Sequence, residues 1–500
     1  MPTVRLPSAL RKYADDQQTI EVEATRVGDA LTQAVVLHPS LRIRFFDDDG
    51  GLHPHLLVIL DDEELDRDRL NETSVGSSQV ISLLIAVSGG ADDVRMRGFR
   101  NRSTVEETRK AALEGVRQLP PEDVGIDDCV GRVLAEAVVS MVNVPGFRRA
   151  TMDGYALHAS DSYGATAYNP LPLKLLGASM PGTDSGGAIP SGSAARIMTG
   201  APVPDGADAV LRAEDARETG GVVEALAPVA EGKNIGRVGE DVEVGETVLG
   251  AGRRLLPPDV GLLSSIGHSP RVVRRPVVRV IVSGDELLPP GAVPSGNRIV
   301  DSNSPMLAAL VRRDGGLPEV RRLPDDESAM RTALQDSEAD VIVTAGAASV
   351  GSEDRVPLLV AELGELLIHG VTMRPSSPTG VGRIGRTPML ILPGNPVSCL
   401  VAYDFFAGPV IRRLGGLTEE WPYRKVRLPL RTRLVSQIGR TDYARVVVGD
   451  GMVEPLAISG ASVLSSVTSA SGFVVIPAGL EGFGEGAEVE VHLYEDPARS

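Results

Sequence analysis

Lysine is scarce in this sequence. Only Lys12, Lys110, Lys174, Lys233 and Lys425 occur among 500 residues, so arginine carries nearly all the positive charge. Basic residues are outnumbered as well: Lys+Arg is 50 against Asp+Glu 67, a formal net charge of -17. A general nucleic-acid binder advertises itself by a basic surface, so that class is excluded. The overall field also repels anions, so an anionic ligand must be held by local N–H groups, a few arginines or a divalent cation. Cysteine is nearly absent. Cys129 and Cys399 are the two present, far apart in sequence. They rule out a disulfide scaffold and a Cys-ligated zinc site, and they fit a reducing cytoplasm. No apolar run approaches the roughly 18 residues that a membrane span needs. The opening stretch, MPTVRLPSALRKYADDQQ, holds no apolar core of a secretory signal, so a cytoplasmic protein without a membrane partner is expected.

What is present divides the chain by pattern. Thr3-Val-Arg-Leu starts a strand, and the stretch from Thr25 reads as an amphipathic helix with Val27, Leu31, Ala34 and Val35 on one face. HLLVILDDEEL and QVISLLIAV read as strands, giving the order β, α, β, β and ending in Ser88-Gly89-Gly90. Residues 91–102 are charged and aperiodic, a linker. A helix then opens with Ser103 or Thr104 as cap and Glu106 or Glu107 as capping-box partner. From about 145 to 255 the text is rich in Gly, Pro and short β-like runs, an all-β region. From about 276 strands alternate with helices, which implies a parallel sheet with ligands at the strand C-termini. From about 420 alternating segments predict a small β-barrel or sandwich.

Three turns follow three strands of the 276–416 region. They are Ser283-Gly284-Asp285-Glu286, with Asp301-Ser302-Asn303 downstream; Thr344-Ala345-Gly346 running on to Ser349, Gly351 and Asp354; and Pro393-Gly394-Asn395-Pro396-Val397-Ser398. Glycine lets backbone approach a ligand closely. Pro396 suits a first helical turn, so free N–H groups of that helix are expected to face an anion. Glu286, Asp301 and Asp354 add carboxylates, which beside a phosphate make sense with Mg²⁺. Any one of these turns alone is as well explained by ordinary turn and cap chemistry, which uses the same residues. Three at successive strand ends are harder to explain that way. Gly380-Val-Gly382-Arg-Ile-Gly385 matches a dinucleotide fingerprint, but Arg386-Thr-Pro and a strand follow it, so a β-turn is expected.

The ordered set MDGYA (152–156), RIMTGAPVPDGADAV (196–210), NIGRVGEDVEVGETVLGAG (234–252), SGDEL (283–287), DSN (301–303), SVGSED (349–354) and PGNPVS (393–398) resembles the MoeA / gephyrin E-domain family. These are molybdopterin molybdenumtransferases. The likeness covers roughly 103–495. Residues 1–90, with their strand order and the closing Gly89-Gly90, resemble MoaD, the ubiquitin-like small subunit of molybdopterin synthase. The whole is similar to a MoaD–MoeA fusion. The resemblance implies a multidomain α/β plus β fold: a β-grasp domain (1–90), a linker (91–102), an elongated domain from 103–148 and 232–275, and a β-rich insertion (149–231). A three-layer α/β molybdopterin-binding domain (276–416) and a C-terminal β-barrel (417–500) complete it.

The reaction so implied takes adenylylated molybdopterin and molybdate as substrates, places molybdenum on the dithiolene and releases AMP. The resemblance assigns catalytic roles to Asp153, Thr199, Glu286, Asp301 and Asp354, with Glu286 and Asp354 as Mg²⁺ ligands. It gives pterin and phosphate contacts to Gly284, Asp285, Asn303, Gly346, Ser349, Gly351, Gly394, Asn395, Pro396 and Ser398. Arg374, Pro375, Ser376 and Pro378, with Arg445 and Ser462, fall to the oxyanion. In this family Asp153 and Thr199 reach the site across a dimer, so a homodimer is implied. Gly90 is the thiocarboxylate candidate, with the molybdopterin synthase large subunit and an activating adenylyltransferase as partners of residues 1–90. Gly90 is internal, however, so either a protease cuts after it or the domain has lost carrier activity. Two further departures stand out. The usual Lys-Pro-Gly-x-Pro loop reads Arg374-Pro375-Ser376-Ser377-Pro378, with Ser377 where some members carry a second lysine, and the usual Gly-Gly reads Gly346-Ala347. Arg and Lys are not interchangeable at an oxyanion. These departures leave open a second reading, a non-catalytic molybdopterin-binding scaffold with a degenerate ubiquitin-like docking domain. The intact set Asp153, Glu286, Asp301 and Asp354 favours the enzyme.

Overall fold

The computed structural model describes residues 2–6, 10, 13–15, 17–46, 51–52, 56–61, 63–65, 69–77, 79–85, 102–183, 187–336, 338–346 and 356–494. The chain forms two compact units. The larger holds Met1–Val116, Pro276–Arg413 and Thr418–Ser500; the smaller holds Arg117–Arg275 and Leu414–Leu417.

The first segment of the larger unit is a five-stranded sheet. Its strands are β1 (Thr3–Arg5), β2 (Thr19–Glu21), β3 (Leu56–Leu60), β4 (Glu63–Glu64) and β5 (Val80–Ile85), with helix α1 (Val27–Leu37) between β2 and β3. The spatial order is β2-β1-β5-β3-β4, with β1 parallel to β5 and the other pairs antiparallel. Val27, Ala30, Leu31 and Ala34 of α1 recur at helical spacing and are buried against Val4, Ile20, Val58 and Ile81. Val35 is only partly buried there. Fully burying side chains such as Val27 and Leu31 contributes roughly 1.5–3 kcal/mol each, so this face holds the helix on the sheet. β2 escaped the sequence pattern, being three residues long and too short to show alternation, and β4 falls inside the HLLVILDDEEL run, which reads as one strand with β3.

Helix α2 (Val105–Leu113) opens as its sequence predicts. Thr104 Oγ accepts the Glu107 N–H at 3.1 Å, and Glu107 Oε2 accepts the Thr104 N–H at 2.8 Å. The pair satisfies two of the donors that a helix start leaves free.

The α/β part carries β6 (Val277–Ser283), α3 (Asn303–Arg313), β7 (Leu317–Leu323), α4 (Glu327–Gln335), β8 (Val341–Ala345), α5 (Val356–Leu363), β9 (Glu365–His369), β10 (Gly380–Ile384), β11 (Thr387–Leu392) and α6 (Pro396–Ala402). The sheet order is β7-β6-β8-β11-β10-β9. β7, β6, β8 and β11 are parallel, while β10 pairs antiparallel with both β11 and β9, so the sheet is mixed rather than wholly parallel. Ile281, Ile342, Met389 and Ile391 pack one face against Met330 and Leu334 of α4 and Leu359 and Val360 of α5. On the other face α3 packs along β6 and β7 and against α6. Covered on both faces, the strands read as continuous apolar runs. Gly380–Ile384 is β10 and turns at Gly385 (φ +61°) into β11, so no helix follows the glycine triplet.

The register decides where the turns emerge. Val282 of β6 lies beside Ala345 of β8, and Ala345 lies beside Leu392 of β11. The residues that follow therefore leave the sheet side by side: Gly284, Gly346 and Gly394.

Residues from 424 onward form a sheet of Thr441–Gly449, Gly472–Ile476, Glu488–Leu493 and Arg424–Pro429, with Met452–Ala457 beside Thr441–Gly449, and Met373–Arg374 joins its edge. Its core is Leu430, Ala444, Val446, Val474, Ile476, Val489 and Val491. In the smaller unit a six-stranded sheet runs Ala209–Arg212, Gly154–Leu157, Ser193–Ile197, Leu171–Ser179, Val222–Ala225, Ala216–Thr219. Gly154 is required there, because a Cβ would sit 1.9 Å from the Leu211 carbonyl oxygen.

Candidate functional site

The aligned strand ends of the larger unit enclose a cavity of about 740 Å³. Three turns meet closely. A Cβ built on Gly394 would lie 3.4 Å from the Gly346 Cα, and one on Gly346 would lie 3.1 Å from the Ser283 carbonyl oxygen. Gly346 has φ +101°, which side-chain-bearing residues rarely adopt, so glycine is needed twice over at this point. Gly284 serves the Glu286 side chain. A Cβ there would meet Glu286 Oε2 at 2.6 Å, so the carboxylate folds back over the glycine.

Asp301 and Asn303 join the first turn to the third. Asp301, 3% exposed, accepts the Ser304 N–H at 2.9 Å and the Ser304 hydroxyl at 2.5 Å. The carboxylate thus caps α3, and the Ser302 side chain makes no cap. Asp301 Oδ2 also accepts Arg322 Nε at 3.0 Å. Asn303 Nδ2 donates to the Gly394 carbonyl at 2.7 Å, which leaves its Oδ1 buried without a partner. On the opposite rim the turn after β7 answers the turn after β6. The Asp285 N–H donates to Asp325 Oδ2, and the Asp325 N–H donates to Asp285 Oδ1, both at 3.3 Å.

Ten of the expected residues line this cavity: Gly284, Asp285, Glu286, Asp301, Asn303, Gly346, Pro378, Gly394, Asn395 and Pro396. Ser349, Gly351 and Asp354 lie outside the described residues, as do Ala347 and the Ser88-Gly89-Gly90 ending. Asp153 and Thr199 belong to the smaller unit. There the Asp153 carboxylate accepts both the N–H and the hydroxyl of Thr199 at 2.7 Å. The Thr199 N–H holds the Asp153 carboxyl below its usual range, with the hydroxyl adding to the effect.

Five expected oxyanion contacts, Arg374, Pro375, Ser376, Arg445 and Ser462, stand away from the lining. Arg374 sits on the strand beside Thr441 and Asp442 and donates to Asp442 Oδ2 at 2.6 Å, while its Nε is buried without a hydrogen-bond partner. Pro375 follows it, buried. The Ser376 hydroxyl donates to the Ser398 carbonyl at 2.6 Å. Arg445, 1% exposed, donates to the carbonyls of Ala457, Ser459 and Gly460 and to the Ser466 hydroxyl. Burial lowers the pKa of its guanidinium.

One expectation is corrected. Pro396 does open α6, but the N–H groups behind it are not free. Val397 N–H donates to the Ala461 carbonyl at 2.9 Å and Ser398 N–H to the same oxygen at 3.4 Å. A carbonyl next to Ser462, delivered by the loop that Arg445 braces, occupies the place reserved for an anion. The Ser398 backbone is therefore engaged at both its N–H and its carbonyl.

Other site residues were missed altogether. Asp325, Asp326 and Glu327 line the cavity from the end of β7. The run Leu323-Pro324-Asp325-Asp326-Glu327 before a helix was the available signal, and it repeats the strand–turn–helix layout of the other three turns. With Asp285, Glu286 and Asp301 they make six carboxylates, and among the described residues no Lys, Arg or His belongs to the lining. Among the described residues no three metal-ligating side chains converge closely enough to hold a metal ion by themselves. That donor set fits Mg²⁺, which takes one or two carboxylates and completes its octahedron with phosphate oxygens and water.

Comparison with known proteins finds three matching regions. Residues 103–267 match the "MoeA N-terminal region (domain I and II)", residues 279–413 the "Probable molybdopterin binding domain" and residues 427–494 the "MoeA C-terminal region (domain IV)". The chain is 35% identical over 407 residues to molybdopterin molybdenumtransferase 2 of Mycobacterium tuberculosis, covering 78% of this chain and 98% of that protein. It is 33% identical over 416 residues to a molybdopterin biosynthesis protein of Methanocaldococcus jannaschii, covering 80% and 100%. Among solved structures it is similar to the molybdopterin biosynthesis MoeA protein from Pyrococcus horikoshii, with TM-score 0.68, 31% identity, and 79% of this chain and 100% of that chain covered.

Proposed function

The chain belongs to the MoeA family, and on that premise we propose that it is a molybdopterin molybdenumtransferase of molybdenum cofactor biosynthesis whose reaction runs in the cavity at the ends of β6, β8 and β11. Molybdenum from molybdate is inserted into adenylylated molybdopterin and AMP leaves. One observation carries the placement: the register that brings Gly284, Gly346 and Gly394 out side by side around about 740 Å³, a volume suited to a nucleotide-sized ligand.

Charge supports the cofactor. A cavity lined by six carboxylates repels both a phosphoanhydride and molybdate, so a divalent cation must enter with them. Glu286 and Asp354 hold Mg²⁺ in this reading. When bound, the ion neutralises the phosphates and stabilises the charge that gathers on the departing AMP. The chain's own residues do the rest. Asp301 and Asn303 fix the first turn against the third, and Asn303 Oδ1 offers an acceptor to a ligand N–H or O–H. Gly284, Gly346 and Gly394 let backbone close on the ligand, with Asp285, Asn395, Pro396 and Pro378 completing the walls. Ser349 and Gly351 are assigned pterin and phosphate contacts. Arg374, Pro375, Ser376, Ser398 and Arg445 support the oxyanion side. Asp153 and Thr199 act as a preset pair that a homodimer brings to the site.

The order β2-β1-β5-β3-β4 around α1 supports a β-grasp domain for residues 1–90; a MoaD-like carrier requires a cut after Gly90, and an uncut chain means a domain that has lost carrier activity. The 424–494 sheet is read as the C-terminal β-barrel. No helix among the described residues is long and apolar enough to cross a membrane. A cytoplasmic place is part of the proposal. AMP release from adenylylated molybdopterin tests the enzyme reading. Mass spectrometry of the protein from its native cells tests the carrier reading, which fails if only intact chain, never a fragment ending at Gly90, is found.

A further inference from the structure

We propose that Arg322, a residue outside every motif, is a positioning residue for the reaction, acting through Asp301. The inference rests on the cavity being the site of AMP release. Arg322 lies on β7, the edge strand of the sheet, in register with Val282 of β6. Its guanidinium reaches over that neighbour to the start of α3. Nε donates to Asp301 Oδ2 at 3.0 Å, and Nη2 donates to the Ser304 hydroxyl at 2.9 Å. Ser304 in turn gives both its N–H and its hydroxyl to Asp301. Three residues thus close a ring of hydrogen bonds at the cavity wall, and the next residue before Ser304 is Asn303, which holds the Gly394 carbonyl.

The electrostatics make the arginine necessary. Asp301 is almost fully buried, and a buried carboxylate without a cationic partner is expensive. Among the described residues the groups around it offer no other cation. Asp285 and Glu286 come from the turn before it, Asp325, Asp326 and Glu327 from the turn after β7, and the Cys399 thiol from α6. Among the described residues Arg322 is the only cation in ion-pair reach of Asp301. Its neighbours on β7, Glu319 and Arg321, pair with each other, and Glu319 also pairs with Arg279. The Arg322 side chain is 49% exposed, so it meets Asp301 from the solvent side and leaves the cavity to the substrate. Removing it leaves Asp301 paired only with the neutral Ser304. The carboxylate is then free to turn toward a divalent cation, and the aim of Asn303 is lost with it.

The test uses the full chain and measures AMP release from adenylylated molybdopterin with Mg²⁺ and molybdate. Arg322→Met should lower kcat about 10–100-fold, the usual effect of losing a group that orients an active-site ligand, with little change in KM. Arg322→Lys should recover part of the loss, and free guanidinium should restore Arg322→Ala. In the Asp301→Asn background Arg322→Met should cost almost nothing more, because coupled residues are not additive. Unchanged kcat in Arg322→Met overturns the inference, and so do losses that multiply in the double variant. If Arg322→Met does not fold, the guanidinium arm decides, and absence of rescue counts against the inference. A wild-type chain that releases no AMP instead strikes the functional reading on which the inference stands.

Discussion

Asn303 and Gly394 are joined by a 2.7 Å hydrogen bond from the amide Nδ2 to the glycine carbonyl, across 91 residues of sequence. This bond fixes the distance between the turn that carries the acidic groups and the turn that carries Pro396. Asn303→Asp is the sharpest variant, since it keeps the shape and removes the donor. The two turns should separate, and a displacement near 1 Å in a catalytic site is enough to cost about 100-fold in rate. Global stability should fall by more than the roughly 1 kcal/mol net value of one hydrogen bond, because the new carboxylate is buried against a carbonyl with no cationic partner. Steady-state AMP release and urea unfolding measure the two effects.

Gly346 should not tolerate alanine. Its φ of +101° and the Ser283 carbonyl 3.1 Å from the built Cβ leave no relaxed position for a methyl. Strain of this kind costs about 1–3 kcal/mol. Gly346→Ala should therefore unfold at lower urea and release AMP more slowly. Gly284→Ala is expected to act differently, by pushing the Glu286 carboxylate off its perch and raising the Mg²⁺ concentration needed for half-maximal rate.

How much of this was legible beforehand differs from element to element. β6, β8 and β11 are β-branched or leucine-rich runs, and their near-continuous apolar character and flanking turns announce them. β7 reads Leu-Pro-Glu-Val-Arg-Arg-Leu, and an edge strand with one exposed side carries no such signal. Missing it also concealed Arg322 and the acidic turn Asp325–Glu327. The α6 start was legible from Pro396. Its occupied N–H groups were not, because Ala461 arrives from another sheet, held there by Arg445. Local chemistry could be read from the residues. Which distant carbonyl or guanidinium completes it depends on the packing of whole layers.

Arg445 links those layers, and its removal should be felt in stability. Arg445→Met leaves the Ala457, Ser459 and Gly460 carbonyls without their buried donor. Each unsatisfied group costs about 1–3 kcal/mol, so a clear fall in the unfolding midpoint is expected. Hydrogen exchange should rise at Val397 and Ser398, whose N–H groups depend on the Ala461 carbonyl.

Asp153 gives a pH prediction. Its folded pKa is depressed by the Thr199 N–H and hydroxyl. A depressed carboxylate stabilises the fold above its unfolded pKa, and that contribution is lost as pH falls through the lower folded value. Thr199→Val removes the hydroxyl and keeps the N–H. The Asp153 carboxyl, followed by NMR, should then titrate at higher pH than in the parent chain but still below the ordinary aspartate value.

The central claim is that an acidic cavity at three aligned strand ends accepts an anionic nucleotide-linked pterin only together with Mg²⁺. It is tested most directly by following AMP from adenylylated molybdopterin and molybdate in the intact chain, with and without a chelator, beside Asp354→Ala. Release that stops on chelation, returns with added Mg²⁺ and is lost in the folded Asp354→Ala chain is the predicted result. Release that proceeds undiminished in the chelated protein and in Asp354→Ala would contradict the account.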